Sequence, residues 1–363
     1  MVIEFPVVSP INAPRSAYIH VPFCSRRCDY CSFATWTDRE HLIDQYLAAC
    51  KTQARNWASE LPLITSVFIG GGTPNLVPAE LLMDVVAELP IADDSEFTVE
   101  CNPDLVNSDQ LETYVHAGVN RISLGVQSMV PHVLESLGRE HDPKNVQTAV
   151  KKIRSAGITN INFDLIYGAQ GETNEDWRMS LEQALSLEPN HLSTYALTVE
   201  PGTPLATDIE RHPDDDDQAD KYIEADRRLT EAGYSNYEIS NWAQSGKESR
   251  HNLLYWNQEE YLGLGVAAHS HIGQKRFWSI RTPERFISAI SKNSSVEAGA
   301  EKLDVDGWAL EGRQLALRTS SGVPEEFIPH EVRHLTQPAD LDGNLKLTAE
   351  GRLLANEVAV RLR

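Results

Sequence analysis

Cys24, Cys28 and Cys31 stand at a three-then-two spacing in the run Cys24-Ser-Arg-Arg-Cys28-Asp-Tyr-Cys31. Cysteine thiolates are the ligands that hold iron–sulfur clusters, and a 4Fe–4S cluster with its full set takes four of them. Three thiols at this spacing therefore predict a cluster with one iron left open. An open coordination position distinguishes a reactive metal site from a closed structural one. The other readings are a structural zinc site, for which His20 and His41 are the near candidates to complete the set, or three unrelated core thiols.

Other residue groups carry potential chemistry further along. Gly70-Gly-Gly-Thr-Pro74 lets the backbone approach a ligand closely, because glycine has no Cβ in the way. Glu100, opening Glu100-Cys-Asn-Pro-Asp104, puts a carboxylate where it can hold a ribose diol. Gln127, Arg139 and Asp164 form a second polar set. An acid inside Ile161-Asn-Phe-Asp-Leu-Ile is costly to bury alone, so an Asp164–Arg139 ion pair bracing the fold is the structural alternative. Cys101 reads as a packing residue. The stretch from Tyr237 to His269, with His251-Asn-Leu-Leu-Tyr-Trp256 inside it, gathers aromatic rings and histidines without a packing period. Rings and a neutral imidazole suit a tetrapyrrole, although a single histidine is more often a satisfied core residue.

These residues need a scaffold that brings loop ends together. Apolar strands are expected at residues 17–20, 66–69, 97–100, 121–125, 160–165 and 191–196. Amphipathic helices alternate with them. The first puts Leu42, Ile43, Tyr46, Leu47 and Cys50 on one face, behind a capping-box pattern at Thr37-Asp-Arg-Glu40. The others are expected at 78–88, 108–117, 144–156, 174–187 and 218–232, with a shorter turn at 132–137. Six such β-α units imply an α/β fold with a parallel sheet covered by helices. Such a sheet can curl into a barrel with chemistry at the carboxyl ends of its strands, where these motifs fall. The expected divisions are an N-terminal extension (1–16), a partial (β/α)6 barrel (17–233), a connecting region (234–305) and a C-terminal helical domain (306–363). In the last, Trp308, Leu310, Leu315 and Leu317 have helical periodicity, and a strand pair and final helix give a winged-helix-like outline.

Composition bounds the function. A formal charge of −21 argues against a nucleic-acid surface, which needs a basic stripe. No apolar run approaches the length of about 18 residues that a membrane span requires. Five cysteines, three of them clustered, suit a reducing cytosol better than a disulfide framework. A cytoplasmic location is therefore expected, and residues 1–16 lack a secretory pattern.

Several runs occur together: Tyr18-Ile-His-Val-Pro-Phe-Cys24, the Gly70 run, Glu100-Cys-Asn-Pro, Leu124-Gly-Val-Gln-Ser128, Asp164-Leu-Ile-Tyr-Gly168 and His251-Asn-Leu-Leu-Tyr-Trp256. With Tyr30 directly before the third cysteine, they resemble the radical-SAM superfamily. Within it they resemble the oxygen-independent coproporphyrinogen III oxidase family and its heme-chaperone branch. The resemblance implies a partial radical-SAM barrel, and a 4Fe–4S cluster on Cys24, Cys28 and Cys31 whose open iron is chelated by S-adenosylmethionine. It places Tyr18, Gly71, Glu100 and the backbone at His269 against that S-adenosylmethionine. Tyr30, Gly72, Thr73, Gln127, Arg139, Asp164 and Ala196 match positions that hold a second S-adenosylmethionine in the oxidase. His251 opens the motif associated with heme handling and is the candidate heme residue.

Two departures separate the branches. The oxidase has a further cysteine two residues after the third, where this chain has Ser32-Phe33, and a longer N-terminal arm. The expectation is thus a heme chaperone that delivers heme to apo-hemoproteins such as respiratory enzymes, with a homodimer as one form. The alternative is oxidative decarboxylation of coproporphyrinogen III.

Overall fold

The computed structural model describes residues 14–139 and 141–362; most of the expected N-terminal extension lies outside them. Six strands run parallel in sequential order: β1 (Ser16–Val21), β2 (Ile64–Gly71), β3 (Ile91–Cys101), β4 (Arg121–Gln127), β5 (Asn160–Tyr167) and β6 (His191–Ala196). The helices between and after them are α1 (Ile43–Ala58), α2 (Ala79–Val86), α3 (Ser108–His116), α4 (Pro131–Ser136), α5 (Pro143–Ser155), α6 (Asn174–Ser186) and α7 (Asp215–Glu231). Each expected unit is present. The capping box before α1 is not: a 3-10 turn at Glu40–Leu42 leads into the helix, without a side-chain cap at Arg39 or Leu42. Arg39 and Asp38 are drawn instead into ion pairing with each other, and Arg39 also pairs with Glu284.

Three further strands join the same sheet. β7 (Ser235–Glu238) and β8 (Asn241–Ala243) add on beside β6, antiparallel, and β9 (Leu262–Leu264) adds parallel to β1. The order is β7-β8-β6-β5-β4-β3-β2-β1-β9, with β7 and β9 at the free edges, so the barrel is partial. The short helix α8 (Arg250–Trp256) lies between β8 and β9 in the chain and packs against β2.

Period-two alternation divides the strands into two faces. Ile19, Val67, Val99, Leu124, Phe163 and Leu192 face the helices and pack with Tyr46, Tyr114, Ile153, Trp177 and Leu229 in the main core. The alternate positions are mostly polar, Phe68 being an exception: Tyr18, Ser66, Thr98, Glu100, Ser123, Asn162, Asp164, His191 and Ser193. Buried polar groups require partners, and here they partner one another. Asn162 Nδ2 donates to Ser123 Oγ at 2.6 Å and to Asp164 Oδ1 at 2.9 Å, while its Oδ1 lies 2.6 Å from His191 Nδ1. A barrel with a hydrogen-bonded polar interior can hold a polar ligand.

Beyond β9, β10 (His269–Ile272), β11 (Lys275–Ser279) and β12 (Glu297–Lys302) form an antiparallel sheet, and α9 (Pro283–Ser291) packs on α1. The C-terminal part comprises α10 (Val305–Ala316), β13 (Val323–Pro324), β14 (Thr336–Pro338), β15 (Asn344–Leu347), α11 (Ala349–Leu353) and α12 (Ala355–Ala359). Its sheet has three short strands, β13-β15-β14, one more than the expected pair. Leu317, Val323, Val332, Leu347 and Val358 form a core of their own. Arg352 ties that part to the barrel, 2.6 Å from Tyr222 OH and 2.6 Å from Asp226. Among the described residues no helix is long and apolar enough to cross a membrane.

Candidate functional site

The loop carrying the three cysteines leaves β1 and is clamped at both flanks. At its base, Trp36 N donates to Pro22 O at 2.8 Å and Cys24 N to Trp36 O at 3.1 Å. His20 adds a side-chain strut, with Nε2 3.0 Å from Ala34 O and Nδ1 3.0 Å from Tyr18 OH. The carbonyl requires the proton on Nε2, so Nδ1 accepts from the tyrosine. Burial lowers the pKa of the ring, which suits this neutral form. With both nitrogens engaged, His20 is not a fourth zinc ligand, and His41 is exposed on the surface. On the far flank, Arg211 Nη2 donates to Asp29 Oδ2 at 2.8 Å and to Ser136 O at 2.6 Å.

All three thiols are half-buried. Burial pushes Cys24 and Cys31 up, and their mutual influence together with Cys28 marks them as neighbours. Each sulfur has a donor: Thr73 Oγ1 at 3.6 Å from Cys24, Arg139 Nη1 at 3.6 Å from Cys28, and the Phe33 backbone at Cys31. Donors of this kind stabilise thiolates and tune a cluster's potential. Among the described residues no three side chains of the metal-binding types converge on a single ion. Thiols distributed along one loop suit a polynuclear cluster, in which each holds a different iron.

The glycine run is pressed between this loop and Glu100. Gly72 N donates to Val21 O at 2.7 Å, and a Cβ on Gly72 would come within 2.6 Å of Phe23 O and 3.0 Å of Cys24 Sγ. Gly71 has φ +111, and a side chain there would strike His20 at 2.4 Å. Its N–H donates to Glu100 Oε2 at 3.1 Å. Enclosure raises Glu100 to about 8, helped by the charge of Asp164 and opposed by the Gly71 N–H and Arg121.

The second polar set is assembled differently from the expected ion pair. Ser123 Oγ donates to Asp164 Oδ2 at 2.8 Å, whereas Arg139 Nη2 donates to Gly125 O at 2.9 Å. Among the described residues no salt bridge joins Asp164 to Arg139, because each is satisfied by nearer groups. Gln127 has φ 63, and β4 shifts register against β5 between Gly125 and Gln127. Left-handed backbone at a non-glycine residue is uncommon and often marks a functional position. Here the side-chain amide lies over Gly125, 3.1 Å from where a Cβ would sit, on the same side as Arg139. Tyr30 neighbours Cys28 and Arg139, and Ala196 ends β6 exposed.

The two histidines named from the sequence are placed differently from one another. His251 is 1% exposed, its Nδ1 2.8 Å from Ser66 Oγ and its Nε2 2.8 Å from Tyr255 OH, and it stacks on Phe68 with centroids 5.2 Å apart. Burial lowers its pKa to about 3. A ring with both nitrogens bonded inside the barrel has none free for iron in this arrangement. Its helix is anchored by Glu96, which accepts from Arg250 N at 3.1 Å and His251 N at 3.0 Å. The His269 ring is exposed and stacks on Trp278, 5.6 Å between centroids. Its backbone carbonyl packs over Gly263, which pairs with Tyr18, and so does border the expected site.

Sequence reasoning missed the loop clamps and the interior network. The Asn160-Ile-Asn-Phe-Asp164 alternation signals a polar inner face, whereas nothing local ties Asp29 to Arg211. The Radical SAM superfamily profile matches residues 18–184. A Mycobacterium tuberculosis protein described as heme chaperone HemW is 36% identical over 98% of this chain and 97% of its own. The Bacillus subtilis protein of that description is 34% identical over 95% of this chain and 98% of its own. The Escherichia coli one is 39% identical over 71% of this chain and 70% of its own. The Escherichia coli coproporphyrinogen III oxidase HemN, described as a radical SAM enzyme, superposes with a TM-score of 0.83 at 23% identity, covering 96% of this chain and 90% of that one. The chain belongs to the HemW family of the radical-SAM superfamily.

Proposed function

We propose that this protein is a cytoplasmic heme chaperone that binds heme and passes it to apo-hemoproteins, respiratory enzymes among them. The observation that carries this reading is the end-to-end likeness to relatives described as heme chaperones, at 36% identity over 98% of the chain. Phe33 adds to it: it is 60% exposed, and it stands where the resemblance gives the oxidase a further cysteine.

Membership of the superfamily implies a 4Fe–4S cluster and S-adenosylmethionine, and the donors gathered around Cys24, Cys28 and Cys31 fit that cluster. When bound and reduced, it supplies an electron for cleavage of the sulfonium. Tyr18, Gly71, Glu100 and the His269 backbone line the place for the methionyl and ribose groups. Thr73 and Arg139 hold negative charge on Cys24 and Cys28. Tyr30, Gly72, Gln127, Asp164 and Ala196 complete the wall that corresponds to a second S-adenosylmethionine site. A homodimer is one form in which such a chaperone can work, and the net charge of −21 argues against a nucleic-acid partner.

The test is anaerobic: reconstituted protein, reductant, S-adenosylmethionine and coproporphyrinogen III, followed for protoporphyrinogen IX. Hemin transfer to an apo-hemoprotein is followed alongside. Transfer without porphyrinogen turnover is expected; many turnovers to protoporphyrinogen would replace this reading with the oxidase.

A further inference from the structure

A cleft of about 680 Å³ opens between the chain after β4, the start of α5 and the end of α6. That size falls within the range of small-molecule sites. Met129, Leu134, Pro143 and Leu187 give it apolar walls, and Arg139 and Lys144 bring two cations to it. Asp142 also lines it, but its carboxylate caps α5, accepting from Lys144 N at 2.9 Å.

His141 is the unusual member of the lining. It is 6% exposed, and its ring nitrogens have no well-formed hydrogen bond, the Val126 carbonyl offering only a weak one. A buried polar group without a partner costs stability and calls for an explanation such as a ligand. Unlike His251, this imidazole has no strong hydrogen bond to give up before a nitrogen can be turned toward a ligand. His and Met are the paired axial ligands of many hemes, and Met129 lines the same cleft. Apolar walls with cations beside them match a flat macrocycle bearing carboxylates, a favourable feature in a chain of net charge −21.

We propose that this cleft is where heme is held, with His141 on the iron and Lys144 and Arg139 on the propionates. The proposal rests on the heme-chaperone reading and gives it a location. Both nitrogens of His141 are covered, so ligation requires the ring to turn toward the cleft, a rotamer change. Arg139 also lies 3.6 Å from Cys28 Sγ, so a single guanidinium borders both the heme cleft and the cysteine loop.

The test titrates hemin into the full-length, cluster-reconstituted protein and reads the Soret band and the affinity. His141→Ala should change the Soret position and weaken hemin by about tenfold or more. Lys144→Glu, on the exposed rim, should weaken it severalfold without disturbing the core. Cluster content and S-adenosylmethionine binding should remain as in the wild type. Hemin binding by the wild type with unchanged affinity and spectrum in both variants would overturn the cleft and leave the chaperone reading standing. A wild type that binds no hemin would overturn both.

Discussion

Ser66 Oγ and His251 Nδ1 lie 2.8 Å apart, joining β2 to a helix 185 residues further along the chain. The contact begins a continuous series. His251 stacks on Phe68, Phe68 on Tyr18 with centroids 6.3 Å apart, and Tyr18 OH meets His20, which braces the cysteine loop at Ala34. The motif that begins at His251 is therefore part of the barrel interior beneath the candidate cofactor site.

His251→Ala removes two buried hydrogen bonds and an aromatic contact, and strands Ser66 Oγ and Tyr255 OH. The expected cost is about 2–4 kcal/mol of folding stability, measured as a lower urea midpoint at unchanged slope. Hemin affinity of the folded fraction should be unchanged. A wild-type urea midpoint combined with lost hemin binding would return His251 to the iron.

Gly72→Ala should destabilise by about 1–3 kcal/mol, the usual range for forcing atoms into a packed site. The added Cβ meets two backbone carbonyls, Phe23 O at 2.6 Å and Val21 O at 2.8 Å, neither of which can rotate away. Because Cys24 Sγ is the third neighbour, iron and sulfide content after anaerobic reconstitution should fall as well. Full cluster loading would show that the loop yields without losing the site.

Glu100 gives the apo protein a pH dependence of definite sign. Its pKa rises from about 4.5 to about 8 on folding, through burial first and Asp164 second. Across that interval the native chain keeps a proton that the unfolded chain has lost, so this contribution to stability declines as pH rises through it and levels off above it. Glu100→Gln should gain stability relative to the wild type as pH increases from about 4.5 to about 8. Urea unfolding of both proteins at a series of pH values checks it; parallel curves would place the titration on another group.

The sequence by itself determined the cysteine spacing, the order of β-α units and the placement of most motifs at strand ends. These depend on local periodicity and on short runs whose chemistry is intrinsic to the residues. It also held the alternation of Asn162 and Asp164 that makes the barrel interior polar. Tertiary structure decided which side chains meet. Asp164 bonds Ser123 rather than Arg139, Arg139 turns to Cys28, and Asp29 finds Arg211 across 182 residues of chain. It also set two buried histidines apart, bonding both nitrogens of His251 and leaving those of His141 without a well-formed hydrogen bond beside a cleft. A histidine's availability depends on which groups the fold brings within about 3 Å of each nitrogen, and no local pattern in the sequence carries that distance.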